Sequence, residues 1–215
     1  MKSRALRAVL VAFAVAAVAP AAHAATPRVL AVEFDNDVNP VTADYAVDQI
    51  ERANEEGFAA VVILLDTPGG LADAMRDIYQ AELASRVPVI VYVSPEGARA
   101  ASAGVWIGQA ADLLAMAPTT NLGSSTPVAA GGGEIPSDLR RKAINDAAKS
   151  LRALAEEHGR NGDWAEQAVR KASNLTAREA LRLNVIDVIA PTLPALLERV
   201  DGRRTKPDGK ILRTS

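Results

Sequence analysis

The chain has 215 residues, 49% hydrophobic, 23% charged and 4% aromatic, which suits one domain with a sizeable core. A formal charge of −2, with no Lys/Arg block away from the termini, gives no electrostatic footprint for nucleic acid. The absence of cysteine excludes a disulfide framework, a thiol nucleophile and any thiolate metal site. At the N-terminus, Lys2, Arg4 and Arg7 precede an apolar run from Ala8 to Ala19, then Pro20 and Ala22-His23-Ala24. This pattern predicts a secretory signal peptide over residues 1–24, with an uncleaved anchor as the alternative. The run is shorter than the ~20 residues a spanning helix needs. Cleavage would remove three basic residues, taking the formal charge from −2 to −5, and would place the mature chain outside the cytoplasm, in the periplasm.

Beyond that segment, Val29–Phe34 reads as a strand and Thr42 as the cap of a helix over Ala43–Glu56, ended by Gly57. Ala59–Leu65 is a continuous apolar run rich in β-branched residues, the mark of a strand covered on both faces. The turn Asp66-Thr67-Pro68-Gly69-Gly70 leads to a helix over Leu71–Ser85 and a second buried strand, Val87–Val93. A Gly/Ala-rich stretch from Gly97, a short helix after Ser102 and an apolar Leu113–Ala117 follow. Pro118 to Pro136 is a loop, most flexible in composition at Gly131–Gly133, that reads as a lid or an interface. Helices are predicted over Asp138–His158, Asp163–Ala172 and Thr176–Leu183, the last with Thr176 and Glu179 as a capping box, before a final strand Val185–Ile189. A polar tail over 202–215 is expected to fray.

Strands alternating with helices predict an α/β layered domain over 25–201 with mostly parallel strands and flanking helices. Function in such sheets gathers in loops at the carboxyl ends of strands, where both glycine-rich segments fall. Ser102, in Ala-Ala-Ser-Ala-Gly, reads either as an ordinary N-cap or as a nucleophile placed at the positive end of a helix. Gly69-Gly70 reads either as a turn requirement or as a source of oxyanion-binding N–H groups.

A nucleophilic serine needs a proton acceptor. His23 lies in the predicted signal peptide, and His158 falls at a helix end where the last carbonyls are its natural partners. A serine–histidine–aspartate triad is therefore not expected, leaving Lys142, Lys149 and Lys171 as candidate bases. Lys142 sits in the first turns of its helix, where the dipole opposes protonation, beside Arg140 and Arg141; the other two read as solvated surface charges. The residues alone leave that choice open. Nothing suggests a cofactor, and one mature histidine among scattered carboxylates does not make a zinc site.

The segments Leu65–Gly70, Gly97–Gly104, Met116-Ala117-Pro118, Lys142–Asp146, Gly159-Arg160-Asn161 and Leu175–Ala180 resemble the NfeD-type membrane-bound serine proteases, of the ClpP-class fold related to the crotonases. The likeness runs from about Arg28 to Val200 and covers the protease portion of that family alone. It implies a ClpP/crotonase-like fold and a Ser–Lys dyad of Ser102 and Lys142, with backbone oxyanion donors at Gly69, Gly70 and Ala103. It further implies a hydrophobic peptide substrate from a stomatin-like membrane protein, and a homodimer or larger assembly. Leu71, Met75, Val105 and Met116 are compatible with an apolar site. Three other readings stand beside this one: a non-catalytic module holding a peptide in the same groove; crotonase-type acyl-CoA chemistry, which export disfavours; and an exported Ser–Lys protease of the signal-peptide-peptidase type, which fits the Asp-Thr-Pro-Gly-Gly and Ala-Met-Ala-Pro segments less well.

Overall fold

A computed structural model describes residues 26–129 and 136–215. The predicted signal segment and Gly131–Gly133 lie outside the described residues. The elements run β1 (Val29–Asp35), α1 (Pro40–Glu56), β2 (Ala60–Asp66), α2 (Ala72–Ala84), β3 (Val89–Val93), β4 (Arg99–Ala100), α3 (Ala103–Ala110) and β5 (Leu113–Met116). They continue with β6 (Asn121–Gly123), α4 (Ser137–Glu157), α5 (Gly162–Arg170), β7 (Asn174–Thr176), α6 (Ala177–Arg182), β8 (Val188–Ile189) and α7 (Leu193–Val200).

The main sheet is five-stranded and parallel, in the order β1-β2-β3-β5-β8. Side chains alternate across a strand, so its apolar runs divide between two cores. Val61, Ile63, Leu65, Val89, Val91, Val93, Leu114 and Met116 join one core with helices α1 to α5. Ala60, Val62, Ile90, Tyr92, Leu113 and Ala115 enter the other, closed by Leu196 and Val200 of α7. This is the mostly parallel α/β fold that the sequence predicted. A second sheet, β4-β6-β7, was not legible: its strands are two or three residues long.

Two expectations are corrected. The first helix begins at Pro40, capped by Asn39 and not by Thr42. The Asn39 side chain accepts from the Val41 and Thr42 amides, while the Thr42 hydroxyl accepts the Asn39 N–H at 3.0 Å. Proline at the first position suits this start, since its missing N–H would have had no helical partner. The second correction is the tail, which packs where fraying was expected. Leu212 is fully buried in the second core, its amide and carbonyl bonded to Arg203 and Gly202, and Lys210 pairs with the buried Asp112 at 3.0 Å. Burying one leucine is worth about 1.5–3 kcal/mol, and the backbone bonds and the ion pair add to it in holding this segment.

Candidate active site

The turn after β2 is fixed from several sides. Thr67, fully buried, donates its amide to the Arg99 carbonyl and accepts the Ala101 amide, joining this turn to the segment leading to Ser102. Its hydroxyl accepts the Gly69 N–H at 3.1 Å. The Gly69 carbonyl accepts from Val38, and the Val38 carbonyl accepts from Leu71. Gly69 has φ +109°, and a β-carbon on Gly70 would lie 1.9 Å from the Val38 carbonyl oxygen, so both glycines are demanded by backbone geometry.

Facing this turn, Ser102 precedes α3 with φ 51° and ψ −111°, and its side chain makes no capping hydrogen bond. Ser102 thus occupies the N-cap position without capping the helix through its side chain. A non-glycine residue held at these angles stores about 1–3 kcal/mol, retained only where its surroundings enforce it. The Ser102 amide donates to the Ser124 carbonyl at 2.7 Å, and its carbonyl accepts from Val105 and from the Ser125 hydroxyl, each at 3.1 Å. Gly104 packs against Thr67, where a β-carbon would stand 2.6 Å from the Thr67 methyl. The far end of α3 is held by the buried Arg160, which donates to the carbonyls of Gly108, Gln109 and Ala111 and pairs with Asp187 at 2.7 Å. All eight residues of α3 are buried, so its start cannot drift.

The run Ser124-Ser125-Thr126 walls the site by binding carbonyls that α5 leaves unpaired at its end. The Ser124 hydroxyl donates to Ala172, the Ser125 amide to Ala168 and the Thr126 hydroxyl to Val169. Between these walls lies a cavity of about 360 Å³, lined by Gly70, Leu71, Met75, Tyr79, Ser102, Ala103, Trp106, Ser125, Val128 and, from α4, Asp146, Ala147 and Ser150. Leu71 is half exposed at the mouth, and Tyr79 and Trp106 stack at 6.2 Å between centroids. Val105 and Met116, grouped with the site in the sequence reading, are core residues with no exposed surface.

The two glycine-rich loops therefore meet. Among the described residues the amides of Gly70 and Ala103 have no acceptor, and both residues line the cavity beside Ser102. The Gly69 amide is occupied by Thr67, so Gly69 serves by its lack of a side chain. Lys142 is exposed on α4, one turn before Asp146. Residues four apart share a helix face, so Lys142 lies on the same face of α4 as Asp146, but it is not among the residues that line the cavity. Lys149 pairs with Glu166 at 2.8 Å, and Lys171 is exposed at the end of α5. The His158 ring contacts the Leu154 carbonyl through Nδ1 at 2.9 Å, at the end of α4; burial lowers its basicity. Thr67, Tyr79, Trp106 and Ser125 were missed in the sequence reading. Met75 and Tyr79 stand four apart on α2, as do Ser102 and Trp106 in sequence, and that spacing was the available signal.

The fold and the paired loops define a ClpP-like α/β domain, and comparison with known proteins assigns it more closely. The family described as NfeD1b, N-terminal domain, matches residues 28–189, and the chain belongs to that family. The membrane-bound protease PH1510 of Pyrococcus horikoshii is 41% identical over 168 residues, covering 75% of this chain and 38% of the relative. The membrane protein NfeD1b of Bacillus subtilis is 28% identical over 107 residues, covering 50% of this chain and 24% of the relative. The chain thus spans well under half the length of the curated relatives it matches. Among solved structures, a lysine-to-alanine mutant of the 1510-N membrane-bound stomatin-specific protease, in complex with a substrate peptide, superposes with a TM-score of 0.81 at 36% identity. That match covers 89% of each chain. ClpP1 from Listeria monocytogenes shares the fold, with a TM-score of 0.62 at 19% identity over 77% of this chain and 94% of that one. No helix among the described residues is long and apolar enough to cross a membrane.

Proposed function

We propose that the chain is a serine endopeptidase in which Ser102 is the nucleophile, Lys142 the general base, and the amides of Gly70 and Ala103 the oxyanion donors. The observation that carries this reading is Ser102 itself: strained, uncapped, and flanked by two amides without acceptors at the floor of an apolar cleft. The relatives support it, since one solved structure of the stomatin-specific protease is a serine-to-alanine mutant and another a lysine-to-alanine mutant with substrate peptide.

The neutral Lys142 amine accepts the Ser102 hydroxyl proton as Oγ attacks the peptide carbonyl carbon. The tetrahedral oxyanion forms between the Gly70 and Ala103 amides. Lysine returns the proton to the leaving amine, and water, deprotonated by the same amine, then releases the acyl group. One oxyanion donor is typically worth ~2.7–4 kcal/mol of transition-state stabilisation.

The substrate class that fits Leu71, Met75, Tyr79, Trp106 and Val128 is an apolar segment, of the kind a stomatin-like membrane protein presents. Action at the outer face of the membrane follows if residues 1–24 are a signal peptide, and a homodimer or larger assembly would let the exposed Val128 meet a second copy. The decisive experiment compares wild type, Ser102→Ala and Lys142→Ala on apolar peptides and with a fluorophosphonate probe. Loss of cleavage in both variants and of labelling in Ser102→Ala is expected. Undiminished turnover by either variant overturns the dyad; a folded wild type that neither cleaves nor labels leaves a peptide-binding groove instead.

A further inference from the structure

One polar chain at the floor of the cleft has no part in the scheme above. The Trp106 indole N–H donates to the Ser125 hydroxyl at 2.8 Å, and that hydroxyl donates to the Ser102 carbonyl at 3.1 Å. Both side chains are buried, with Trp106 8% and Ser125 5% exposed. A buried hydroxyl with one donor behind it and one acceptor ahead has a fixed direction, because its proton has a single place to go. The chain therefore ends on the carbonyl of the residue held in strained geometry.

That carbonyl belongs to the same peptide unit as the Ala103 amide. A trans peptide is planar and rigid, so fixing its oxygen fixes the direction of its N–H on the opposite side. A hydrogen bond accepted at the oxygen also polarises the unit and strengthens its N–H as a donor. We propose that Trp106 and Ser125 are positioning residues, which aim and polarise the Ala103 amide as an oxyanion donor through the Ser102 carbonyl. This rests on the serine peptidase reading, and neither residue touches the reacting atoms.

Three observations favour positioning over plain packing. The Ser125 backbone is anchored on its own account, its amide bonded to Ala168 and its neighbours to Ala172 and Val169, so the loop does not depend on the hydroxyl. The Trp106 ring is seated by stacking on Tyr79, so its N–H is not needed to place it. The Ser102 carbonyl already receives the helical Val105 amide, so the Ser125 bond is an additional restraint on this peptide unit.

The test uses the full chain with Ser125→Ala, Ser125→Thr, Trp106→Phe and the Ser125→Ala/Trp106→Phe pair, measuring kcat and KM on an apolar peptide and the rate of fluorophosphonate labelling. In Ser125→Ala, kcat should fall on the order of 10-fold, a fraction of the 10²–10³ lost with a whole oxyanion donor, with KM within about twofold. Ser125→Thr, which keeps the hydroxyl, should recover most of that loss. Trp106→Phe should lower kcat in the wild-type background but add little to Ser125→Ala, because the two act in series. An unchanged kcat in Ser125→Ala, a loss confined to KM, or additive effects in the double variant would overturn the proposal. Amide and indole ¹⁵N–¹H resonances give a readout that needs no turnover. If wild type is inert the peptidase reading fails by itself, and the relay still requires the Ala103 amide and Trp106 indole signals to shift in Ser125→Ala. Signals that stay in place overturn it.

Discussion

A β-carbon placed on Gly69 would stand 2.4 Å from the Ser102 β-carbon and 3.0 Å from its hydroxyl oxygen. The two loops are therefore in contact at the nucleophile, and the absence of a side chain at Gly69 is what admits Ser102. Gly69→Ala is expected to displace the serine and slow its labelling by a fluorophosphonate by at least ~10-fold, with a backbone cost of about 1–3 kcal/mol from φ +109°. Gly97→Ala is the matched control: its φ is +89°, but nothing lies within 4 Å of the added carbon. It should lose comparable stability in urea titration while leaving labelling within twofold of wild type once folded. Equal labelling by the two variants would show that the Gly69 contact does not place Ser102.

The strain at Ser102 should be recoverable as stability. Glycine adopts φ 51° without a steric penalty, whereas alanine does not. Ser102→Gly should therefore gain about 1 kcal/mol over Ser102→Ala, strain relief of about 1–3 kcal/mol being partly offset by the freer unfolded chain. Both variants should be inactive. Equal urea midpoints for the two would mean that the backbone there relaxes on losing the hydroxyl.

The parts of this site that were legible in the sequence are those made by contiguous residues. Apolar runs such as Val61–Leu65 announced strands because both faces are buried, and Thr176 with Glu179 announced a helix start through its reciprocal bonds. Ser102 was a candidate in the sequence, but that its side chain caps no helix amide shows only in the folded chain. What stayed hidden was set by tertiary approach. Thr67 turns its hydroxyl to Gly69 only because its backbone is pinned to Arg99 and Ala101, and Ser125 meets Trp106 only because Ser124–Thr126 are bonded to the end of α5. The tail looked dispensable because the contribution of Leu212 comes from a cavity formed by other elements.

Glu82 is buried on α2 with neither carboxylate oxygen hydrogen-bonded among the described residues, and burial, with the charge of Asp112, raises its pKa well above the usual range. Its folded form therefore holds the proton where the unfolded chain, ionising near 4.5, releases it. Stability from this group is undiminished below that value and falls as pH rises toward the folded pKa. Glu82→Met, of similar volume, should be more stable than wild type at pH 7.5 by about 1–3 kcal/mol, the usual penalty for an unsatisfied buried group. The gap between the two melting temperatures should narrow at pH 4.5. A gap that does not change with pH would mean that Glu82 is not the group being titrated.

Glu166 should behave in the opposite sense. It joins α5 to α4 by accepting from Lys149 at 2.8 Å, Arg152 at 2.7 Å and, within α5, Arg170 at 3.3 Å, and these cations lower its pKa from 4.5 to about 2. The folded form binds the proton less readily than the unfolded chain, so the cluster's contribution is complete above pH about 4.5 and is lost as pH falls toward 2. Glu166→Gln should therefore be less stable than wild type at pH 7 and show a shallower decline between pH 5 and 2, the two converging at the acid end. Because α5 anchors Ser124, Ser125 and Thr126 while α4 carries Asp146 and Ser150, loosening this joint should reach the cleft. Labelling of Ser102 in Glu166→Gln is expected to slow at neutral pH in low salt, and high salt should bring wild type toward the variant, since exposed ion pairs are screened. Parallel acid-unfolding curves for the two proteins would remove Glu166 from this role and leave apolar packing as what holds α4 to α5.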